Sequence, residues 1–143
     1  MTTTIVSLDT NVLVSLLNHE KDLSERALVA IESSRRSSRL VVSGPVYAEL
    51  LGLPSRTQAI LDEFFSRGGI EIDWRFEEAI WRAAGIAFQG YVMRRVADDK
   101  VFPRRILTDF LVGAHTVIRG YTLLTVDKRL YKTSFPGIQV RSI

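Results

Sequence analysis

Apolar positions along this chain change their period repeatedly, and each change marks an element. Residues 3–8 carry a short apolar run, Ile5-Val6-Ser7-Leu8, that reads as a strand. The spacing then turns helical over 10–17, with Asp9 or Thr10 as the cap. Leu23, Ala27, Leu28, Ala30 and Ile31 continue that spacing and predict a helix over 23–34. The basic and polar run 33–39 reads as a loop, and 40–42 as a short strand. Ser43-Gly44-Pro45 predicts a helix start, with Ser43 capping and proline in the first turn; that helix stops before Pro54. A helix over 58–67 ends at Gly68-Gly69, and 70–72 is a strand. A long helix over 76–96 lines Ile80, Ala83, Ala84, Ala87, Phe88 and Tyr91 along one side. A charged loop over 97–105 leads to a helix over 108–119 and a strand over 121–126. A helical turn over 127–132 and a strand over 137–140 close the chain.

Short strands alternating with helices predict an α/β fold, with a parallel sheet covered on both faces and right-handed crossovers. No repeat, linker or low-complexity tract divides the chain, so 1–143 reads as a single domain. In open sheets of this kind ligands gather at the carboxyl ends of the strands. Asp9 and Asp127 each follow an apolar run at such an end, so their convergence is expected.

Composition narrows the chemistry. The chain has no cysteine, which excludes disulfides, thiolate metal sites and a cysteine nucleophile and fits a reducing cytoplasm. No apolar stretch reaches the roughly 18–20 residues of a membrane span. No Gly-rich phosphate loop is present, which speaks against a nucleoside-triphosphate enzyme. The net charge is +3, and 15 of the 19 basic residues are arginine, whose planar fork suits phosphate. Arg94, Arg95, Arg104, Arg105, Lys128 and Arg129 are the candidates for contacts to a nucleic-acid backbone.

Four carboxylates stand where a structural role explains them poorly: Asp9, Glu49, Asp109 and Asp127. Asp9, Asp109 and Asp127 could each serve as a helix cap or turn residue. Glu49, three residues after Val46 and four before Leu53, points to the apolar side of its helix, where a buried ion pair is its bland explanation. Gathered together, four acids would raise one another's pKa unless a cation held them, and hard divalent cations take oxygen ligands. Gly113, one turn after Asp109, leaves room for a ligand or for close helix packing. His115 is displaced by about 240° from Asp109 on a helix, so it reads as a packed or surface residue.

These residues resemble a known family. Leu8-Asp9-Thr10-Asn11-Val12-Leu13 is similar to the opening of a PIN domain, and Tyr47-Ala48-Glu49-Leu50 to its second acidic motif. Asp109-Phe110-Leu111-Val112-Gly113-Ala114-His115 resembles the third. Leu123-Leu124-Thr125-Val126-Asp127, followed by Tyr131 and Phe135-Pro136-Gly137-Ile138, resembles the close. Size and motif order resemble VapC, the ribonuclease toxin of bacterial VapBC toxin–antitoxin pairs. The resemblance implies a three-layer α/β/α sandwich with a central, mostly parallel sheet. It also implies Mg²⁺ or Mn²⁺ as cofactor, RNA as substrate, a VapB-like antitoxin partner and a homodimer. Asp9, Glu49, Asp109 and Asp127 fall on the family's acidic, metal-holding positions, and Asn11 and Thr125 on its polar supports. In that reading the ion activates a water and neutralises charge on the phosphate. A PIN-like scaffold that binds RNA or a protein without cutting is the rival of a different class, since fold alone does not secure activity. A receiver-like phosphoacceptor domain fits less well, because Asp9-Thr10 lacks the acidic pair it needs.

Overall fold

The computed structural model describes residues 3–98 and 107–143. Five strands form one sheet: β1 (Thr4–Leu8), β2 (Ser38–Ser43), β3 (Ile70–Asp73), β4 (Thr122–Thr125) and β5 (Gln139–Ser142). Their order is β3-β2-β1-β4-β5, and every neighbouring pair is parallel. Seven helices join them among the described residues: α1 (Thr10–Leu17), α2 (Leu23–Arg35), α3 (Gly44–Leu51), α4 (Gln58–Gly68), α5 (Glu78–Ala97), α6 (Leu107–Arg119) and α7 (Lys128–Ser134).

The strand order dictates where a site forms. The chain lays β1, β2 and β3 outward in one direction, then returns through α5 and α6 to place β4 on the free side of β1. The crossovers on either side of β1 therefore diverge, leaving a crevice at the carboxyl ends of β1 and β4. Leu8 pairs with Leu124, so the residues just beyond, Asp9 and Thr125, are brought side by side there.

Parallel strands buried on both faces need apolar residues at most positions, and β1, β2 and β4 supply them. Val6, Leu8, Val42 and Leu123 are wholly buried, as are Val12, Val46, Leu50, Leu61 and Ile80 from the helices. Fully burying one such side chain contributes about 1.5–3 kcal/mol. Among the described residues no helix is long and apolar enough to cross a membrane.

Several expected boundaries move, each for a local reason. The loop expected over 33–39 shrinks to a turn at 36–37: Arg35 ends α2 and pairs with Glu32, while Arg39 lies in β2 and pairs with Glu71 on β3. The long helix starts at Glu78, because the Arg75 N–H turns back to Asp73 and Phe76 stacks on His115. Ser43 occupies the cap position of α3, but its hydroxyl makes no cap bond and is buried without a hydrogen-bond partner. The last strand begins two residues late, because the Ile138 N–H closes a turn on the Phe135 carbonyl.

Gly113 serves close packing. A Cβ built there would lie 2.2 Å from Phe135 Cε2 and 2.6 Å from its Cδ2, so the ring occupies the space a side chain would need. Gly113→Ala should therefore destabilise the fold by about 1–3 kcal/mol, the usual cost of overpacking. Urea unfolding measures this, and an unchanged midpoint would contradict the contact.

Candidate active site

Asp9 anchors the crevice. It stands between β1 and α1 and is 3% exposed. Its Oδ1 accepts from the Thr10 N–H at 2.8 Å, and its Oδ2 from the Thr125 hydroxyl at 2.7 Å. Its own N–H donates to the Leu124 carbonyl at 3.0 Å, so backbone and side chain both tie β1 to β4. Burial pushes the Asp9 carboxyl above its ordinary value, the Asp127 charge adds to the rise, and the bonds from Thr125 and Thr10 oppose it.

Thr125 is the hub of the support. Besides donating to Asp9, its oxygen accepts from the Asp127 N–H at 3.0 Å and lies 3.5 Å from Asn11 Nδ2. The Asn11 side-chain oxygen accepts from the Val126 N–H at 3.2 Å. Asn11 and Thr125 thus hold the end of β4 against the start of α1, as polar supports would.

The other acids surround this anchor. Asp127 caps α7 through the Leu130 N–H at 3.4 Å. Its helix-cap role and its place in the crevice coexist. Glu49 lies half-buried on α3, on the side toward Asp9; burial and the Asp9 charge raise its pKa, and the Thr108 side chain opposes them. No ion pair engages Glu49 among the described residues, so the buried-pair explanation of this residue does not hold there. Asp109 lies half-buried in the first turn of α6.

Tyr131 marks the centre. Its ring is 1% exposed, and its hydroxyl faces Asp9 at a looser approach than a full hydrogen bond. Burial pushes the phenol well above its ordinary value, and the charges of Asp9, Asp109 and Asp127 push it further. One hydroxyl thus feels three carboxylates from three different elements. The acids do not meet at a point: among the described residues no three carboxylates or imidazoles are close enough to hold a metal ion directly.

Of the basic candidates, Arg94 on α5 and Arg129 on α7 line a cavity of about 260 Å³ together with Asp127. Arg95 is half-buried and engaged, and Lys128 is exposed at the start of α7. Arg104 and Arg105 lie outside the described residues.

A second polar cluster was not anticipated from the sequence. His115 is fully buried, as expected of a packed histidine, with Nε2 3.1 Å from Asp73 Oδ2 and its ring stacked on Phe76 at 5.0 Å. Asp73 also accepts from the Tyr121 hydroxyl at 3.1 Å and from the Arg75 N–H at 3.2 Å. Tyr131, Thr108 and Asp73 were all missed as polar partners. Only Tyr131 carried a local signal, standing four residues after Asp127 on a helical turn.

The PIN domain family description matches residues 6–136, nearly the whole chain. The chain belongs to the PIN-domain family. Its structure is similar to VapBC2 from Rickettsia felis bound to a promoter DNA fragment, with a TM-score of 0.64 and 20% identity over 98% of this chain and 99% of that one. It is also similar to VapBC-1 from nontypeable Haemophilus influenzae, with a TM-score of 0.63 and 18% identity over 97% and 98%. FitAcB from Neisseria gonorrhoeae gives 0.59 and 19% over 94% and 95%. At such identities the likeness is one of fold. No curated protein matches this sequence.

The His115 cluster generates a pH dependence. Burial holds the imidazole below its ordinary pKa, as do the Arg119 and Arg75 charges, and the bond and charge of Asp73 only partly oppose them. Nδ1 is buried without a partner, so a proton there would find no acceptor. A group depressed in the folded state contributes stability that is complete above its unfolded pKa, about 6.5, and is lost as pH falls below it. Unfolding free energy should therefore drop between pH 7 and 5, by at most about 1.4 kcal/mol per pH unit from this residue. His115→Gln should flatten that slope in urea titrations; equal slopes would contradict the assignment.

Proposed function

We propose that this chain is a metal-dependent endoribonuclease, the toxin component of a type II toxin–antitoxin pair, with residues 1–143 acting as one PIN domain in the cytoplasm. The observation that carries the reading is the meeting of Asp9 and Asp127 at the carboxyl ends of β1 and β4, joined through Thr125, with Glu49 and Asp109 close enough for charge to couple them to this pair or to Tyr131. Family membership and the likeness to VapBC and FitAcB structures support it. A VapB-like antitoxin, a second copy of this chain and RNA are the proposed partners. Ile86 and Val117 line an apolar cavity of about 340 Å³ between α5, α6 and the segment after α7, which suits a protein interface.

The donor set fits Mg²⁺ or Mn²⁺. It offers carboxylate oxygens only, and Mg²⁺ binds through one or two carboxylates while keeping several waters, so four loosely gathered acids suffice. Asp9, Glu49, Asp109 and Asp127 would hold it directly or through water. A bound divalent ion supplies an activated water and neutralises charge on the phosphate. Thr125 and Asn11 keep Asp9 aimed into the crevice. Tyr131 raises no negative charge there, since its phenol stays protonated.

Asp9→Asn tests the reading on two independent readouts. In a pool of tRNA, ribosomal RNA and messenger RNA, the parent chain should give discrete products with Mg²⁺ or Mn²⁺ and none with EDTA. The variant should lose at least about 100-fold of that activity. Excess Mn²⁺ should raise the melting temperature of the parent and leave that of the variant unchanged. Without divalent ions the variant should melt below the parent, because its amide has one acceptor oxygen for the two bonds that the carboxylate takes from Thr10 and Thr125; the shift on adding Mn²⁺ is therefore the readout. A folded parent that neither binds Mn²⁺ nor cuts RNA would overturn the reading in favour of a non-catalytic PIN scaffold.

A further inference from the structure

Beside the acids lies a cavity that gathers two arginines from different elements. It opens between α5 and α7, holds about 260 Å³, and reaches Asp127 at one end. Arginines elsewhere are commonly engaged by nearby carboxylates, as in the Arg39–Glu71, Arg67–Glu63 and Arg119–Glu77 pairs. Arg94 and Arg129 form no ion pair among the described residues, although both line this cavity. They come from two different elements, 35 positions apart in sequence, so local helix pairing does not explain their meeting. The wall also carries two hydroxyls, from Thr133 and Ser134, and the Ser134 oxygen is buried without a hydrogen-bond partner.

We infer that this cavity is a phosphate subsite for the nucleic-acid strand, holding a backbone phosphate next to the one that is cleaved. The inference rests on the nuclease reading above and adds to it a second place where the strand is gripped. Among the described residues two guanidiniums face the single carboxylate of Asp127, so that wall is net positive. Arginine forks give charge-assisted, two-point bonds to phosphate oxygens. The unpaired Ser134 hydroxyl offers a further donor. The Tyr91 ring and Leu130 form an apolar wall against which a ribose or base packs. The volume is adequate, since a water takes about 30 Å³ of liquid volume and a phosphate displaces only a few. Asp127 belongs both to this cavity and to the acids near Tyr131, so a strand gripped here is already beside them.

The test separates binding from cutting. A fluorescein-labelled single-stranded RNA of mixed sequence is titrated in EDTA against the Asp9→Asn chain, read by anisotropy. Arg94→Ala and Arg129→Ala are added singly, with Arg67→Ala and Arg82→Ala as controls on exposed arginines remote from the cavity; melting curves confirm that each variant folds. Each cavity variant should weaken binding about 3- to 10-fold at ~0.1 M salt and lower the slope of log K against log salt by about 0.7. Arg→Lys at either position should keep the salt slope while losing part of the affinity. In chains that retain Asp9, the alanine variants should raise KM for RNA cleavage more than they lower kcat. Affinity and slope equal to those of the controls would overturn the subsite while leaving the nuclease reading intact. Loss of RNA binding in the variants of a chain that cuts no RNA would support the grip and overturn the nuclease reading. A parent that binds no RNA would overturn both.

Discussion

The hydrogen bond from the Thr125 hydroxyl to Asp9 joins residues 116 apart in sequence and closes the point where the strand order reverses. It does two jobs with one proton. It compensates a carboxylate that burial would otherwise neutralise, and it ties the end of β1 to the end of β4. The same oxygen takes the Asp127 N–H, so the turn carrying the next acid is set by the same atom. If β4 had been laid beside β3 instead of β1, Asp9 and Asp127 would stand several strand spacings of about 4.8 Å apart. The crevice exists because the chain crosses back over its first strand.

Two polar systems in one small molecule show how charge balance separates structure from chemistry. Around Asp73 the charge is matched: Arg75 and Arg119 face it, Tyr121 and His115 bond to it, and its pKa is lowered because the Arg75 N–H, His115 and Tyr121 outweigh the cost of burial. That arrangement pins β3 to α6 and asks for nothing more. Around Tyr131 carboxylates accumulate, and burial and mutual charge raise the pKa values of Asp9 and Glu49. Carboxylates held above their ordinary pKa by burial and neighbouring charge cost stability, which a fold tolerates where something positive is to be bound. Arg94 and Arg129, which form no ion pair among the described residues, continue the same logic beside Asp127 with the sign reversed.

Much of this was legible along the chain because it depends on short-range pattern. Period and capping residues locate α1 and the strands β1 and β4 within a residue or so, and Asp9 and Asp127 follow apolar runs in plain view. The motif resemblance locates the family, and it names Asn11 and Thr125, whose bonds the structure supplies. What stayed hidden depends on contacts across the sheet. Tyr131 as the centre of the acids, the pairing of Asp73 with His115, and Phe135 filling the space over Gly113 each require knowing which distant element packs where. The late start of α5 has the same origin, because Phe76 is drawn out of the helix by a ring 39 positions away. The Arg94–Arg129 cavity is the same kind of feature: each arginine was a plausible phosphate contact, but only the packing of α5 on α7 picks out these two together.

The central claim is that the crevice at the end of β1 and β4 binds a divalent cation. Anomalous diffraction from a crystal equilibrated with Mn²⁺ tests it directly. The account predicts a peak among Asp9, Glu49, Asp109 and Asp127, touching about one or two of these carboxylates and reaching the others through water. No peak there, or one confined to the carboxylates around Asp73, would contradict it.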